Sequence, residues 1–140
     1  MAPEEPADDN FGRLLILAHG GTWEQRFQIS SLASSEASAG RPVDIALFFA
    51  ALHCWVRNGW DTIDPSPPLD TARVERQMLP ALSSFLEPGR KDGLVRLYAC
   101  SASVRLLGLD PAETQDRVEA ILGWQSFSRM IRRASQVVTL

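Results

Sequence analysis

The sequence predicts an α/β protein, a three-layer α/β/α sandwich built around a mainly parallel five-stranded sheet. Short, continuous apolar runs recur along the chain, and such runs are typical of strands that are buried on both faces. Segments with helical periodicity separate them, which implies crossover connections and therefore parallel strands. The length of 140 residues, with 45% hydrophobic and 22% charged residues, suits one soluble domain with a core of its own.

The first strand is predicted within residues 13–20, where "LLIL" is an unbroken apolar run. Gly20 and Gly21 interrupt that run. Thr22, with Gln25 three residues later, is typical of a capping box that begins a helix. We expect this helix to continue to about residue 39.

The second strand is predicted over residues 43–49, "VDIALFF", and a short helix over residues 50–59. The Pro-rich stretch 60–70 is predicted to be a surface loop. Residues 71–87 have helical spacing, and Pro80 is expected to kink that helix or divide it. The sequence "EPGRKDG" that begins at Glu87 is typical of a turn.

The third strand is predicted over residues 94–100, "LVRLYAC", followed by a short helix in "ASVRLLG". Asp110 and Pro111 begin another helix, with proline at its first position. A short fourth strand is predicted over residues 118–123, although a helix is an alternative there. An apolar stripe from Phe127 to Ala134 indicates the last helix, and "VVTL" ends the chain as the fifth strand.

The first eleven residues, "MAPEEPADDNF", are acidic and Pro-rich and have no basic or apolar signal region. This composition predicts a disordered tail over residues 1–11, followed by a single domain over residues 12–140. No apolar run approaches the roughly 20 residues that a membrane span needs. With no export signal and only two cysteines, we expect a cytoplasmic protein.

The net charge of −3 and the isoelectric point near 5.3 argue against nucleic acid or an anionic membrane as the main partner. The His, Cys, Asp and Glu residues have no spacing typical of a metal site, so no metal is expected.

Cys100 is the candidate catalytic residue because it falls where the third strand ends and a helix begins. Free amides and the positive end of the helix dipole favour an anion there. Such a position can lower the pKa of a thiol from about 8.5 to roughly 3.5–7.5. Cys100 is therefore predicted to be nucleophilic at neutral pH, the alternative being that it is a small buried hydrophobic residue. Cys54, on an apolar helix, is interpreted as a packing residue.

Two loops are expected to form an anion-binding pocket around Cys100, because the carboxyl ends of parallel strands meet at one edge of a sheet. The predicted pocket residues are Gly20, Gly21, Thr22, Ser101, Ala102 and Ser103. His19 is a possible auxiliary residue if its strand neighbours that of Cys100, and Arg105 is another that could attract an anion. For both residues an ordinary structural or surface role is the alternative.

Cysteine phosphatases and arsenate reductases also place a cysteine between a strand and a helix, in a C-x5-R loop. Here "CSASVR" has four residues between Cys100 and Arg105, which would move the guanidinium away from an oxyanion cradle. This class is therefore disfavoured.

Four stretches resemble the DsrE/DsrF-like family, which includes TusD-type sulfur-relay subunits. They are "LLILAHGGT", "VDIALFF", "LYAC" with the following "LLGL", and "VVTL", so the resemblance spans roughly residues 12–140. It implies a small α/β/α domain that assembles into homo-oligomers, trimers or hexamers. It also implies that Cys100 carries sulfur as a persulfide and passes it to a partner's thiol.

The leading functional hypothesis is a sulfur-trafficking protein that exchanges persulfide sulfur with donor and acceptor proteins through Cys100. Thiol–persulfide exchange requires no metal or organic cofactor. The alternative is a non-catalytic small-ligand-binding or assembly module of the same fold, in which Cys100 takes no part.

Overall fold

A computed structural model describes residues 12–140 of the chain, so the predicted disordered tail lies outside the described residues. Five strands are present: β1 (Leu14–Ala18), β2 (Val43–Leu47), β3 (Val95–Cys100), β4 (Ala120–Leu122) and β5 (Gln136–Thr139). Seven helices are present in the same part of the chain: α1 (Trp23–Ser38), α2 (Phe49–Val56), α3 (Thr71–Arg76), α4 (Leu82–Lys91), α5 (Ser101–Leu107), α6 (Pro111–Gln115) and α7 (Trp124–Arg133).

The five strands form one sheet in the order β4-β3-β2-β1-β5, and every neighbouring pair is parallel. The predicted fold class, a three-layer α/β/α sandwich with a five-stranded sheet, is confirmed. The register places Asp44 beside both Leu15 and Arg96, and it places Cys100 beside Leu122.

The helices are divided unequally between the two faces of the sheet. The first four strands are added in one direction across the sheet, and right-handed crossovers then keep their connecting helices on one face. Apolar residues of α1 to α5 form a large core on that face. The connection from β4 to β5 returns across the sheet, so α7 lies on the opposite face and contributes to a smaller core. The buried residues of this smaller core are Leu15, Ala46, Phe48, Tyr98, Cys100, Leu122, Phe127 and Met130.

Pro80 does divide the predicted helix, because α3 ends at Arg76 and α4 begins at Leu82. The predicted turn at "EPGRKDG" is wrong in its first part, since α4 includes Pro88 and continues to Lys91. The reason is packing: a Cβ atom on Gly89 would lie only 2.5 Å from Val95 Cγ2. Gly89 thus allows α4 to approach β3 closely rather than forming a turn.

Arg26 of α1 holds the irregular segment that follows α2. Its guanidinium is fully buried and donates to the carbonyls of Gly59, Trp60 and Thr62 at 2.6–3.0 Å. It also pairs with Asp64. These bonds fix the beginning of the loop that was predicted over residues 60–70.

Across residues 12–140, no helix has both the length and the apolar composition needed to cross a membrane.

Candidate functional site

The candidate site lies at the carboxyl edge of the sheet, where the ends of parallel strands meet. Three strand-to-helix junctions approach one another there: β2 to α2 at Phe48, β3 to α5 at Cys100, and β4 to α7 at Gly123. The β1-to-α1 loop, which contains Gly20 and Gly21, lies at the same edge.

Cys100 is both the last residue of β3 and the N-cap of α5. Its Sγ atom accepts a hydrogen bond from the Ser103 backbone N–H at 3.4 Å. The residue is only 1% exposed and belongs to the smaller core. The sulfur therefore has the helix-terminal location that the sequence predicts, but it is closed off from solvent.

Ser103 links two of the junctions. It is fully buried, and its Oγ atom accepts a hydrogen bond from the Phe49 backbone N–H at 3.2 Å. Phe49 has a φ of 42°, in the left-handed region that disfavours a bulky residue. The Ser103 hydroxyl thus holds the strained start of α2, so its lone pairs face the backbone of Phe49.

Three aromatic side chains are here named the aromatic cover: Phe48, which lies between β2 and α2, and Trp124 and Phe127 of α7. The rings of Phe48 and Trp124 stack with centroids 5.0 Å apart, and Phe127 lies 5.1 Å from Phe48. Phe48 and Phe127 are buried in the same cluster as Cys100, whereas Trp124 is 55% exposed. Access to the Cys100 sulfur from this side therefore requires the aromatic cover to move.

The other two residues of the first turn of α5 are half-buried. Ser101 faces the β4-to-α7 junction, where a Cβ atom on Gly123 would lie 3.9 Å from Ser101 Oγ. Ala102 packs against the smaller core. Both residues therefore lie beside Cys100, as their adjacency in sequence requires.

The glycine loop after β1 is bonded mainly within the chain. The backbone N–H groups of His19 and Gly20 donate to the carbonyl of Leu140 at 2.8 and 3.1 Å. The predicted capping box is confirmed, since Thr22 Oγ1 accepts from the Gln25 backbone and the Gln25 side chain accepts from Thr22 N–H. These amides consequently have intramolecular partners in place of an external anion.

Close packing against the Ala50 backbone requires glycine at position 21, whereas at position 20 a side chain would displace the end of the Gln25 side chain. A Cβ atom on Gly20 would lie 2.1 Å from the Gln25 side chain, and one on Gly21 would lie 2.8 Å from Ala50 Cβ. Gly21 thereby lets the loop contact the start of α2. The observed role of both glycines is contact with the protein's own atoms.

The two auxiliary residues are not brought to the sulfur. His19 was a possible partner of Cys100 only if their strands were neighbours, and this condition is not met because β2 lies between β1 and β3. Two strand spacings amount to about 10 Å. His19 and Arg105 are both exposed.

Cys54 is the more accessible of the two free cysteines. It is half-buried on α2, and its thiol donates to the Gly21 carbonyl at 3.6 Å. Partial burial raises the pKa of this thiol, which keeps it in the less reactive neutral form.

A buried ionic group on the face of the smaller core was not anticipated. Arg13 Nε and Arg96 Nε lie 2.8 and 3.0 Å from Asp44 Oδ1. Burial, followed by the nearby Asp44 carboxylate, raises the pKa of Tyr98 to about 12. The only sequence signal was the aspartate inside the apolar run "VDIALFF", and the group lies on the strands, away from the candidate site.

An open groove with a volume of about 560 Å³ lies on the other face, between α1 and α3. Trp23, Phe27, Leu69 and Val74 are among its lining residues, and none of the predicted site residues lines it. Within the described residues, no three His, Cys, Asp or Glu side chains are grouped closely enough to hold a metal ion.

No family model matches the chain, and no curated protein has significant sequence similarity to it. The resemblance to DsrE/DsrF-like proteins therefore stays a prediction from the motifs.

Proposed function

We propose that the chain is a sulfur carrier in which Cys100 receives sulfane sulfur from a donor protein and passes it to an acceptor protein. The supporting observation is the bond from the Ser103 backbone N–H to Cys100 Sγ at the start of α5. This bond holds the sulfur at the N-terminus of a helix, a position at which reactive cysteines are commonly found.

The chemistry is two successive exchanges. The Cys100 thiolate attacks the outer sulfur of a donor persulfide, RS–SH; this breaks the donor's S–S bond, forms Cys100–S–SH and releases the donor as RS⁻. An acceptor thiolate then attacks the outer sulfur of Cys100–S–SH and regenerates the Cys100 thiolate. No electron is lost or gained overall, and no cofactor takes part.

The burial of Cys100 adds a requirement to this proposal. At 1% exposure the sulfur is out of reach of a partner's thiolate, so transfer requires an opened conformation. The aromatic cover is the element that has to move, and its outer ring, Trp124, is already half in solvent. In the closed form the same cover would shield a persulfide from water and stray thiols.

The second candidate is a binding or assembly module of the same fold, in which Cys100 is a packing residue that caps a helix. The burial of the sulfur favours this candidate, and so do the loop amides already bonded within the chain. The two candidates differ in one measurable property, which is whether the Cys100 sulfur reacts.

The deciding experiment is intact-mass analysis after incubation with polysulfide or with a sulfurtransferase loaded with persulfide. A carrier gains one sulfur atom in the wild type and in Cys54→Ser, and gains none in Cys100→Ser. Cys54→Ser is the matched control because it removes the more exposed thiol. An adduct that disappears in Cys54→Ser, or no adduct at all, would exclude the carrier and leave the module.

The proposal includes two kinds of partner: the donor and acceptor proteins, and further copies of the chain in a trimer or hexamer. The proposed location is the cytoplasm. The exposed apolar side chains of Leu106 on α5 and Trp124 on α7 support self-association.

A further inference from the structure

The groove between α1 and α3, here named the α1–α3 groove, is formed mainly by apolar side chains. Trp23 and Phe27 contribute from α1, and their rings stack with centroids 5.3 Å apart. Val74 contributes from α3, and Leu69 and Leu79 contribute from the segments on either side of α3. The volume of about 560 Å³ falls within the roughly 300–1,000 Å³ of sites for small molecules. The groove therefore has the size and the apolar character of a small-molecule site.

The folded chain leaves part of this apolar lining in contact with water. Leu79 is 44% exposed, and Phe27 and Leu69 are half-buried. The residue before Leu79, Met78, has a φ of 52°, a backbone conformation that disfavours a bulky side chain. The chain thus accepts backbone strain immediately before a residue that lines the groove. A bound apolar molecule would remove these side chains from water, which is favourable.

Arg73 gives the groove a positive charge. Its backbone N–H donates to Asp70 Oδ1 at 2.8 Å, but its exposed guanidinium has no hydrogen-bond or ion-pair partner among residues 12–140. Glu24, the acidic residue of the lining, already accepts a hydrogen bond from the Ser66 backbone N–H at 2.6 Å. A planar guanidinium presents paired N–H donors that match a carboxylate. The charge that is available in the groove is therefore complementary to an anion.

We propose that the α1–α3 groove binds a small aromatic carboxylate. Its ring packs against Trp23 and Phe27, because aromatic rings attract one another in stacked or edge-on geometries beyond the effect of buried area. Its carboxylate accepts hydrogen bonds from the Arg73 guanidinium. The proposal is independent of the sulfur chemistry, since Cys100 and the other candidate residues lie outside the groove.

Nuclear magnetic resonance titration of nitrogen-15-labelled protein with 2-naphthoate and with its neutral analogue 2-naphthamide tests this site. We expect both compounds to shift the amide resonances of residues 23–28 and 73–79 in a saturable manner. The dissociation constant of 2-naphthoate should be about three to five times lower, because an exposed ion pair contributes modestly. No saturation with 2-naphthoate up to about 1 mM, or shifts confined to other residues, would overturn the proposal.

Arg73→Gln tests the contribution of the charge. It should weaken the binding of 2-naphthoate about three- to five-fold and leave that of 2-naphthamide unchanged. Arg76→Gln is the matched control and should change neither affinity, because Arg76 is also exposed in the last turn of α3 but does not line the groove. An equal effect of Arg73→Gln on both compounds, or no effect on either, would overturn the pairing of the carboxylate with Arg73.

Leu79→Glu tests the apolar contact. It should weaken the binding of both compounds about tenfold or more, since it places a carboxylate beside the bound ring. Ile131→Glu changes the net charge equally at a 36% exposed position on α7 and should leave both affinities unchanged. Wild-type affinity in Leu79→Glu, or the same loss of affinity in Ile131→Glu, would overturn binding in the groove.

Discussion

Arg26 is the largest side chain that the fold removes completely from solvent, although an arginine in an amphipathic helix is ordinarily expected to be exposed. The charge is tolerated because Asp64 and four backbone carbonyls, those of Gly21, Gly59, Trp60 and Thr62, surround the guanidinium. No local pattern in the sequence could indicate this role, because three of the four carbonyls belong to a loop more than 30 residues further along the chain.

Arg26→Met is expected to lower the free energy of unfolding by about 3 kcal/mol or more, since it leaves the Trp60 and Thr62 carbonyls without their donor. Asp64 is 61% exposed and would be resolvated at little cost. Urea denaturation measures the change. Arg105→Met, at an exposed position, serves as control and should stay within about 0.5 kcal/mol of wild type. Equal stability of the two variants would contradict the assigned role of Arg26.

Tyr98 makes a pH-dependent contribution to the free energy of unfolding. An absorbance titration can follow its ionisation separately, because it is the only tyrosine in the chain. Burial raises its pKa from 10.0 to about 12. Its contribution to stability is complete below the unfolded pKa and is lost as the pH rises from 10 to 12, since the unfolded chain releases the phenol proton first.

The phenolate absorbance of the folded protein should therefore have its midpoint near pH 12, and that of urea-unfolded protein near pH 10. Coincident midpoints would show that the Tyr98 hydroxyl is in contact with water.

The position of Cys100 could be predicted from the sequence, whereas its burial could not. The sequence correctly places it at the end of β3, because the apolar run stops there. Its burial could not be derived in the same way, since it depends on Phe127 and Met130 of α7, which arrive through tertiary packing.

At the scale of elements, the contact between α4 and β3 depends on the absence of a side chain at Gly89. A Cβ atom there would lie 2.5 Å from Val95 Cγ2 and 3.0 Å from Ala37 Cβ. The sequence "EPGRKDG" predicted a turn because proline and glycine usually interrupt helices, and only the packed structure distinguishes a close approach from a turn.

Gly89→Ala is expected to destabilise the protein by about 1–2 kcal/mol, because overpacking outweighs the gain of about 1 kcal/mol in helix propensity. Val95→Ala removes the methyl group that the new Cβ atom would meet. The double variant should therefore lose less stability than the sum of the single variants, by at least about 0.5 kcal/mol. Strict additivity in denaturant unfolding would contradict the contact.

At the scale of the whole molecule, the sequence was sufficient for the fold class, because continuous apolar runs and crossover helices leave few alternatives to a parallel sheet. The strand order was not accessible from the sequence. Crossover handedness fixes the face on which a helix lies, but not whether β5 pairs with β1 or with β4. That choice is made by α7, whose length and apolar stripe allow it to return across the sheet.

Self-association depends on apolar side chains that the folded chain leaves exposed on its surface. Leu106 is 74% exposed and Trp124 is 55% exposed, and both belong to helices that begin at the carboxyl edge. Light scattering after size exclusion is expected to give a mass that is a multiple of 15.5 kDa, as a trimer or hexamer requires. Leu106→Glu should reduce this mass.

Met78→Glu is the matched control, since Met78 is 87% exposed in the connection between α3 and α4. A wild-type mass equal to that of one chain would contradict self-association. An equal decrease in the mass of the oligomer in both variants would show that the effect of glutamate is not specific to Leu106.

Within residues 12–140, α7 is the only helix on one face of the sheet, and this arrangement affects how the protein folds during synthesis. Strands β1 to β4 and the helices of the larger core are complete before residue 124 leaves the ribosome. Until the last segment emerges, Leu15, Phe48 and Tyr98 remain on an open apolar surface. A nascent chain in this state is a substrate for holdase chaperones, and a stop codon just before Trp124 would yield a product that aggregates.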